Sequence, residues 1–302
     1  MVNAGMRHAT GARQVRDLVG QLAAVVASNE EIEDPVREAR EIVAAILDAP
    51  RHWAIVNSEQ VLDAALAERA VAAAERRGAG APLAYAVGTA GFRSLTLQVD
   101  ERVLIPRPET ELLVDLVLRH FRGRSGGVVV DVGTGSGAIA LALAKEGRFE
   151  RIVGTDISSD ALTLAMTNAA KIGVRVEFVC GDLLRALVEP RPEGQEPRTL
   201  HAVVSNLPYI SHAEASSLPP SVRDWEPAVA LFSGANGLAL TARLVKQAAE
   251  RLAPEGLLAL EVDSRRASLV AELVGADQRY ANVTVQLDLA GRERFVLATR
   301  RE

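Results

Sequence analysis

One cysteine, Cys180, stands in 302 residues. That excludes an internal disulfide framework and a zinc site built from cysteines. The five histidines, His8, His52, His120, His201 and His212, have no metal-ligand spacing among them, so no metal is expected. No apolar run approaches the roughly 18 residues of a membrane-spanning helix. Residues 1–13 carry no apolar stretch behind their charges, so neither a secretory leader nor a membrane partner is expected, and the cytoplasm is the expected compartment. An excess of positive charge is also missing. With 34 basic residues against 39 acidic ones the formal net charge is -5, which disfavours a protein whose main work is coating nucleic acid; no stable nucleic-acid partner is expected. The length allows one large domain or two smaller ones, with core enough to fold without staples.

The chain changes character along its length. Residues 1–81 read as helices. Val15, Leu18, Val19, Leu22, Val25 and Val26 fall on one helical stripe. Asp34-Pro35 is an N-cap followed by proline at the first helical position, and Ile42, Ala45 and Ile46 continue that helix's apolar face. Ser58 is expected to cap a third helix bearing Val61, Leu62, Ala65, Leu66 and Ala70, which Gly78 and Gly80 stop. Trp53, Ile55 and Val56 read as core of this domain, with a partner-docking face the alternative. Residues 82–108 form a linker. Residues 92–99 alternate, Val103-Leu104-Ile105 follows, and a short hairpin is expected before the rigid turn Pro106-Arg107-Pro108.

From residue 109 to 302 the pattern is that of an α/β domain. A helix over 109–120 precedes short apolar runs at 128–132, 151–157, 174–179, 202–205 and 257–262, with helices at 138–144 and 160–171 between them. Such alternation predicts a mostly parallel, Rossmann-like sheet with helices on both faces. Residues 283–289 and 294–299 flank Ala290-Gly291-Arg292-Glu293 and read as a closing antiparallel hairpin. Residues 189–198 form a polar, proline-rich loop. Cys180 ends an apolar strand and reads as a small core residue.

Asp131-Val132-Gly133-Thr134-Gly135-Ser136-Gly137 follows a strand and opens a helix. Glycines there let backbone approach a ligand closely. Some twenty residues on, Asp156 ends the next strand, where a carboxylate accepts hydrogen bonds from ribose hydroxyls. Gly133, Gly135 and Ala138 also satisfy the dinucleotide fingerprint, which keeps a nicotinamide enzyme in view. S-adenosylmethionine fits better: Asp131, just before the loop, would repel a pyrophosphate but tolerate an amino group and a sulfonium. Asp182 with Leu183, after the third strand, either meets an adenine amino group or caps the segment that follows.

The fourth strand runs into Asn206-Leu207-Pro208-Tyr209. In a doubly wound sheet this puts Asn206 across the crevice from the glycine loop. An amide nitrogen is a poor nucleophile because its lone pair is delocalised. Two neutral acceptors for its N–H bonds would orient it and stabilise the positive charge that develops on transfer. The Asn206 side-chain oxygen and the Leu207 carbonyl suit that role. Pro208 holds the backbone, and Tyr209 offers a flat face for a planar group. The competing reading is an ordinary strand-ending turn.

The chain resembles the peptide-chain-release-factor glutamine N5-methyltransferases. The segments that carry the likeness are Pro82-Leu83-Ala84-Tyr85-Ala86-Val87-Gly88 with Phe92, Val103-Leu104-Ile105-Pro106-Arg107-Pro108-Glu109-Thr110-Glu111, Trp225-Glu226-Pro227-Ala228-Val229-Ala230-Leu231 and Gly291-Arg292-Glu293-Arg294. The resemblance implies S-adenosylmethionine as methyl donor. It implies the glutamine of a Gly-Gly-Gln loop in release factors as acceptor, and a helical domain that docks the protein substrate. That family usually has proline where this chain has Leu207; leucine keeps the carbonyl, adds an N–H and loses one fixed φ. It tends to carry a glutamate where this chain has Ala90-Gly91 before Phe92. Asn-Leu-Pro-Tyr is also similar to the motif of ribosomal-RNA adenine N6-dimethyltransferases, which makes an adenine N6-methyltransferase acting on ribosomal RNA or DNA the alternative, but those proteins place the helical domain after the catalytic one. Arg107, held between two prolines, either anchors the junction by an ion pair or lines the substrate channel.

Overall fold

The computed structural model describes residues 12–187, 199–234 and 236–302. The N-terminal stretch with His8 and the proline-rich 189–198 segment lie outside the described residues. Contacts divide the chain into two compact units, Met1–Thr89 with Pro220–Trp225, and Ala90–Pro219 with Glu226–Glu302.

The first unit is helical. It contains β1 (Arg13–Gln14), α1 (Val15–Val26), α2 (Pro35–Ile46), α3 (Trp53–Val56), β2 (Val61–Leu62), α4 (Ala64–Gly78) and α5 (Leu83–Val87). The α1 stripe is buried as its spacing requires, with Val15, Leu18, Leu22 and Val26 at 0% exposure. Asp34 caps α2, accepting from Arg37 N at 2.9 Å. The third long helix starts later than its apolar pattern implied. Asp63, not Ser58, is the cap, accepting from Leu66 N at 2.8 Å. The backbone of the Ser58 region is already committed: Ser58 O and Gln60 O accept from Arg16 N and Val15 N, and Val61 and Leu62 pair with β1. The buried face of α4 is therefore Ala67, Ala70, Ala73 and Ala74, while Val61 and Ala65 are exposed. Trp53 packs on the helical core, but Ile55 and Val56 do not: a four-residue helix buries one side, occupied here by Ala54. Leu83 and Val87 of α5 also pack on that core.

The second unit opens with β3 (Thr89–Phe92) and β4 (Leu95–Gln98), which form a two-stranded sheet. Val103-Leu104-Ile105, expected near a hairpin, takes no strand pairing, because the Ile105 N–H is turned to the Glu226 carboxylate at 3.3 Å. After α6 (Pro108–His120) come β5 (Val128–Val132), α7 (Ala138–Glu146), β6 (Arg151–Asp156), α8 (Ser159–Ile172), β7 (Glu177–Cys180) and β8 (Leu200–Ser205). Helix α9 (Pro220–Arg223) belongs to the first unit; in the second, the short helix α10 (Ala228–Leu231) precedes α11 (Ala239–Arg251), β9 (Leu252–Glu261), α12 (Ala267–Ala276), β10 (Tyr280–Leu287) and β11 (Glu293–Arg300).

Among the described residues seven strands form one sheet in the order β10-β11-β9-β8-β5-β6-β7. β5 pairs in parallel with β6 and β8, β6 with β7, and β8 with β9. β11 is antiparallel to both β9 and β10. This is the class I methyltransferase fold, the expected Rossmann-like sheet with its closing antiparallel hairpin. Alternation along the central strands divides the core. Val130, Val132 and Val203 point to one face, under Leu244, Val245 and Ala248 of α11 and Val270 and Val274 of α12. Val129, Ala202 and Val204 point to the other, under Leu113 and Val117 of α6 and Ile139 to Leu143 of α7. Cys180 is not core: it is exposed at the last residue of the edge strand β7. Among the described residues no helix is long and apolar enough to cross a membrane.

Candidate active site

The order of strands reverses between β5 and β8, and a crevice opens at the carboxyl ends of those two neighbours. Both candidate motifs leave the sheet there. The glycine loop follows β5, and Asn206-Leu207-Pro208-Tyr209 follows β8. A cavity of about 300 Å³ lies between them.

Gly133, Gly135 and Gly137 have φ of 72°, 53° and 84°, a region that disfavours side chains. The N–H groups of Gly133 and Thr134 both donate to Thr155 O, at 2.8 and 2.9 Å, so the loop is tied to the end of β6. Asp156 completes the tie. Its Oδ2 accepts from Gly135 N and its Oδ1 from Ser158 N, each at 2.9 Å. Ser158 in turn caps α8 through Ala161 N.

Asp131, expected from its sequence position to stand against the ligand, lies under the loop instead. It is fully buried and does not line the cavity. Its Oδ2 accepts from Thr134 Oγ1 at 2.6 Å and from Ala140 N at 3.1 Å, so its work is to hold the loop against α7. Burial pushes this carboxyl up to about 7, with the Thr134 and Ala140 hydrogen bonds opposing and the charge of Asp156 adding. A carboxyl raised in the folded state contributes stability that is complete below its unfolded value and fades as pH rises through about 7. Asp131→Asn does not titrate. Thermal melts of the two proteins should therefore show the wild-type advantage shrinking between about pH 4 and pH 7 and level above that; a constant gap would contradict the buried-carboxyl account.

Of the residues singled out from sequence, Gly133, Thr134, Gly135, Ser136, Asp156, Asp182, Leu183, Asn206, Leu207, Pro208 and Arg107 line this one cavity. Gly137 and Tyr209 do not. Gly137 is the N-cap of α7, and a Cβ there would stand 3.0 Å from Leu141 Cδ1 and 3.3 Å from Ala165 Cβ. Tyr209 sits among the charges of Glu261, Arg294, Asp263 and Arg107, and burial pushes its hydroxyl up. A stacking platform formed by Tyr209 is thus not part of the cavity wall.

Leu207 is 6% exposed and belongs to the sheet core. A Cβ at Gly133 would lie 3.1 Å from Leu207 Cδ2, so this leucine packs the Asn206 segment against the glycine loop. Asp182 pairs with Arg243 of α11. Arg107 has an ion-pair partner within the second unit. It donates to Glu226 Oε1 at 2.5 Å, and it lines the cavity. Glu226 is 5% exposed and also takes the Ile105 N–H.

Three features of the site leave little local mark in the sequence. Thr110 is buried, and its Oγ1 accepts from Asn206 Nδ2 at 3.2 Å. Glu261, at the end of β9, is 3% exposed, and Thr110 helps hold its carboxyl down. Its signal was a glutamate closing the otherwise apolar run Leu257-Leu258-Ala259-Leu260. Gly237, in Asn236-Gly237, is the third. It lies against the Tyr209 carbonyl.

The cavity suits S-adenosylmethionine on its own terms. Gly135 lines it with open space where a Cβ would stand, so backbone can approach a ligand there. Asp156 and Asp182 put acceptors for hydroxyls and an amine on the side of β6 and β7.

Comparison with known proteins decides the family. Residues 20–88 match the model of the PrmC N-terminal domain, and residues 129–225 match a methyltransferase domain. A release factor glutamine methyltransferase of Moorella thermoacetica is 41% identical over 273 residues, 90% of this chain and 93% of that protein. One of Deinococcus radiodurans is 38% identical over 288 residues, 95% of this chain and 99% of its own. The chain belongs to the release factor glutamine methyltransferase family. A third relative, from Mycolicibacterium smegmatis, is 40% identical over 77% of the chain and carries the same name. The family is that of the sequence resemblance; the adenine N6-methyltransferase alternative is not favoured.

Proposed function

We propose that this protein transfers a methyl group from S-adenosylmethionine to the side-chain amide nitrogen of the glutamine in the Gly-Gly-Gln motif of peptide chain release factors. The observation that carries the site assignment is the position of Asn206. It ends the strand beside the glycine loop, lines the same cavity, and has its amide nitrogen engaged by Thr110. The Asn206 side-chain oxygen is then the acceptor for one N–H of the substrate amide, and the Leu207 carbonyl the acceptor for the other. Both are neutral. They orient the nitrogen and lower the energy of the positive charge it acquires. No strong base is needed, because a methylated, cationic amide nitrogen loses its proton readily to water.

Gly133 to Ser136, Asp156, Asp182 and Leu183 would hold the cofactor, with Asp156 toward its ribose hydroxyls. When bound, S-adenosylmethionine supplies a methyl group made electrophilic by its sulfonium centre. Arg107 and Pro208 border the substrate end of the cavity, and the helical N-terminal unit serves to dock the protein substrate. Release factors act on ribosomes, which puts the reaction in the cytoplasm.

Incubation with S-adenosylmethionine and a release factor tests this reading. Mass spectrometry of the Gly-Gly-Gln peptide is expected to show one added methyl on the glutamine. Methylated adenine in ribosomal RNA, with the peptide unmodified, would overturn it.

A further inference from the structure

Asn206 can present either end of its amide to the cavity, and only one end serves the proposed reaction. Two buried groups outside the motif decide which. Asn206 Nδ2 donates to Thr110 Oγ1 at 3.2 Å. Thr110 is 5% exposed and sits in the first turn of α6. It acts on Glu261 at close range, holding that carboxyl down; Glu261 is 3% exposed and closes β9, the strand next to β8. Glu261 Oε2 is buried without a hydrogen-bond partner among the described residues, so this carboxylate has capacity to accept.

A threonine hydroxyl has one proton to give and two lone pairs. An ionised carboxylate only accepts, so Thr110 spends its proton on Glu261. Toward Asn206 it can then only accept, and what it accepts from must be the amide NH2. We propose that Thr110 and Glu261 are positioning residues for methyl transfer: ionised Glu261 takes the Thr110 proton, and Thr110 therefore fixes the Asn206 amide with its oxygen toward the substrate nitrogen. This rests on the reading above, in which the Asn206 oxygen accepts a substrate N–H.

Protonation reverses the order. A protonated Glu261 donates to Thr110, which frees the Thr110 proton for the Asn206 oxygen. The amide then turns its NH2 to the cavity, where it faces the N–H bonds of the substrate and repels them. The groups around Glu261 set where this happens. Burial raises its carboxyl to about 7; Thr110, Arg294 on β11 and Arg107 before α6 hold it down, and Glu109 in α6 pushes it up. Tyr209, after β8, also faces it.

The test is the pH profile of kcat for a Gly-Gly-Gln peptide or release factor, with cofactor affinity measured in parallel. Wild-type kcat is expected to rise through an acid limb near pH 7. Thr110→Val, of nearly the same shape, is expected to lose roughly tenfold or more in kcat, the scale of one mis-set buried hydrogen bond, with cofactor binding intact. Thr110→Ala, which removes the hydroxyl without adding bulk, carries the same expectation. Thr110→Ser, which keeps the hydroxyl, restores most of the rate. Glu261→Gln abolishes the acid limb, because an amide does not titrate. Wild-type transfer in Thr110→Val, or an unchanged acid limb in Glu261→Gln, would overturn the relay alone. A wild-type protein that methylates no glutamine at all would overturn the functional reading, and the relay with it.

Discussion

Asn206→Ala is expected to lower methyl transfer by about 10²- to 10³-fold, the usual cost of deleting one preorganised hydrogen-bonding group from an active site. The substitution removes the side-chain oxygen proposed to receive a substrate N–H and the NH2 that engages Thr110. What remains is a cavity wall with the backbone carbonyl of Leu207 as its acceptor. One acceptor leaves the amide free to rotate about a single hydrogen bond, so both orientation and charge stabilisation suffer. Cofactor affinity should change little. The loop that would hold S-adenosylmethionine is fixed by Thr155, Asp156 and Asp131, none of which bonds to Asn206. Stability should also hold, because Leu207, not Asn206, is the residue of this segment that packs in the core. The measurement pairs single-turnover transfer, read by mass spectrometry, with calorimetric titration of S-adenosylmethionine. Near wild-type transfer in Asn206→Ala would remove the motif from the reaction. A parallel loss of cofactor binding would make it a cofactor residue instead.

What was legible in the sequence was whatever repeats or terminates. The sheet could be read because β5, β6 and β8 are short, apolar and separated by helices of regular period. The glycine loop and Asp156 could be read because a positive φ and a strand end leave local marks. Long-range pairings left weaker ones. Nothing near Ser58 shows that its carbonyl is taken by Arg16 N, and that pairing moved the start of α4 to Asp63. Asp131 was noticed for its charge, but only the fold shows that Thr134 and Ala140 occupy it. Arg107 was recognised as an ion-pair candidate without its partner, which lies 119 residues away at Glu226. Thr110 and Glu261 are farther apart in sequence than any local motif spans, and each alone looks like an ordinary helix or strand residue. They become informative when α6 and β9 bring them to the same point beneath Asn206.

Gly237→Ala is the second large effect expected, at a residue that touches neither cofactor nor substrate. The residue has φ of 75°, and a Cβ placed on it would stand 2.0 Å from Tyr209 O and 2.7 Å from Arg266 Nε. Neither neighbour can yield easily. Arg266 is bound on three sides, donating to Asn236 O at 3.1 Å and to the carboxylates of Asp263 and Glu214. Glu214 in turn accepts from Ser211 N at 2.9 Å. The chain beyond Tyr209 is bridged to the segment ahead of Gly237, with Ile210 N donating to Leu231 O at 3.1 Å and Ser233 N to Ile210 O at 2.9 Å. The methyl group therefore has to push the Tyr209 carbonyl aside, and Tyr209 follows Pro208 directly. Overpacking and the left-handed backbone together should cost about 2–4 kcal/mol in denaturant unfolding. A displacement of about 1 Å carried back to Asn206 and Leu207 should cost about 10²-fold in transfer. Gly234→Ala separates the two causes. Gly234 has φ of 63° in the same turn, but a Cβ there meets only Ala239 Cβ, at 3.4 Å. It should show the backbone strain without the collision, losing some stability while keeping its rate. Equal rates in the two variants, measured well below their melting temperatures, would mean that the turn can absorb the methyl group and that the Asn206 segment is not held from behind.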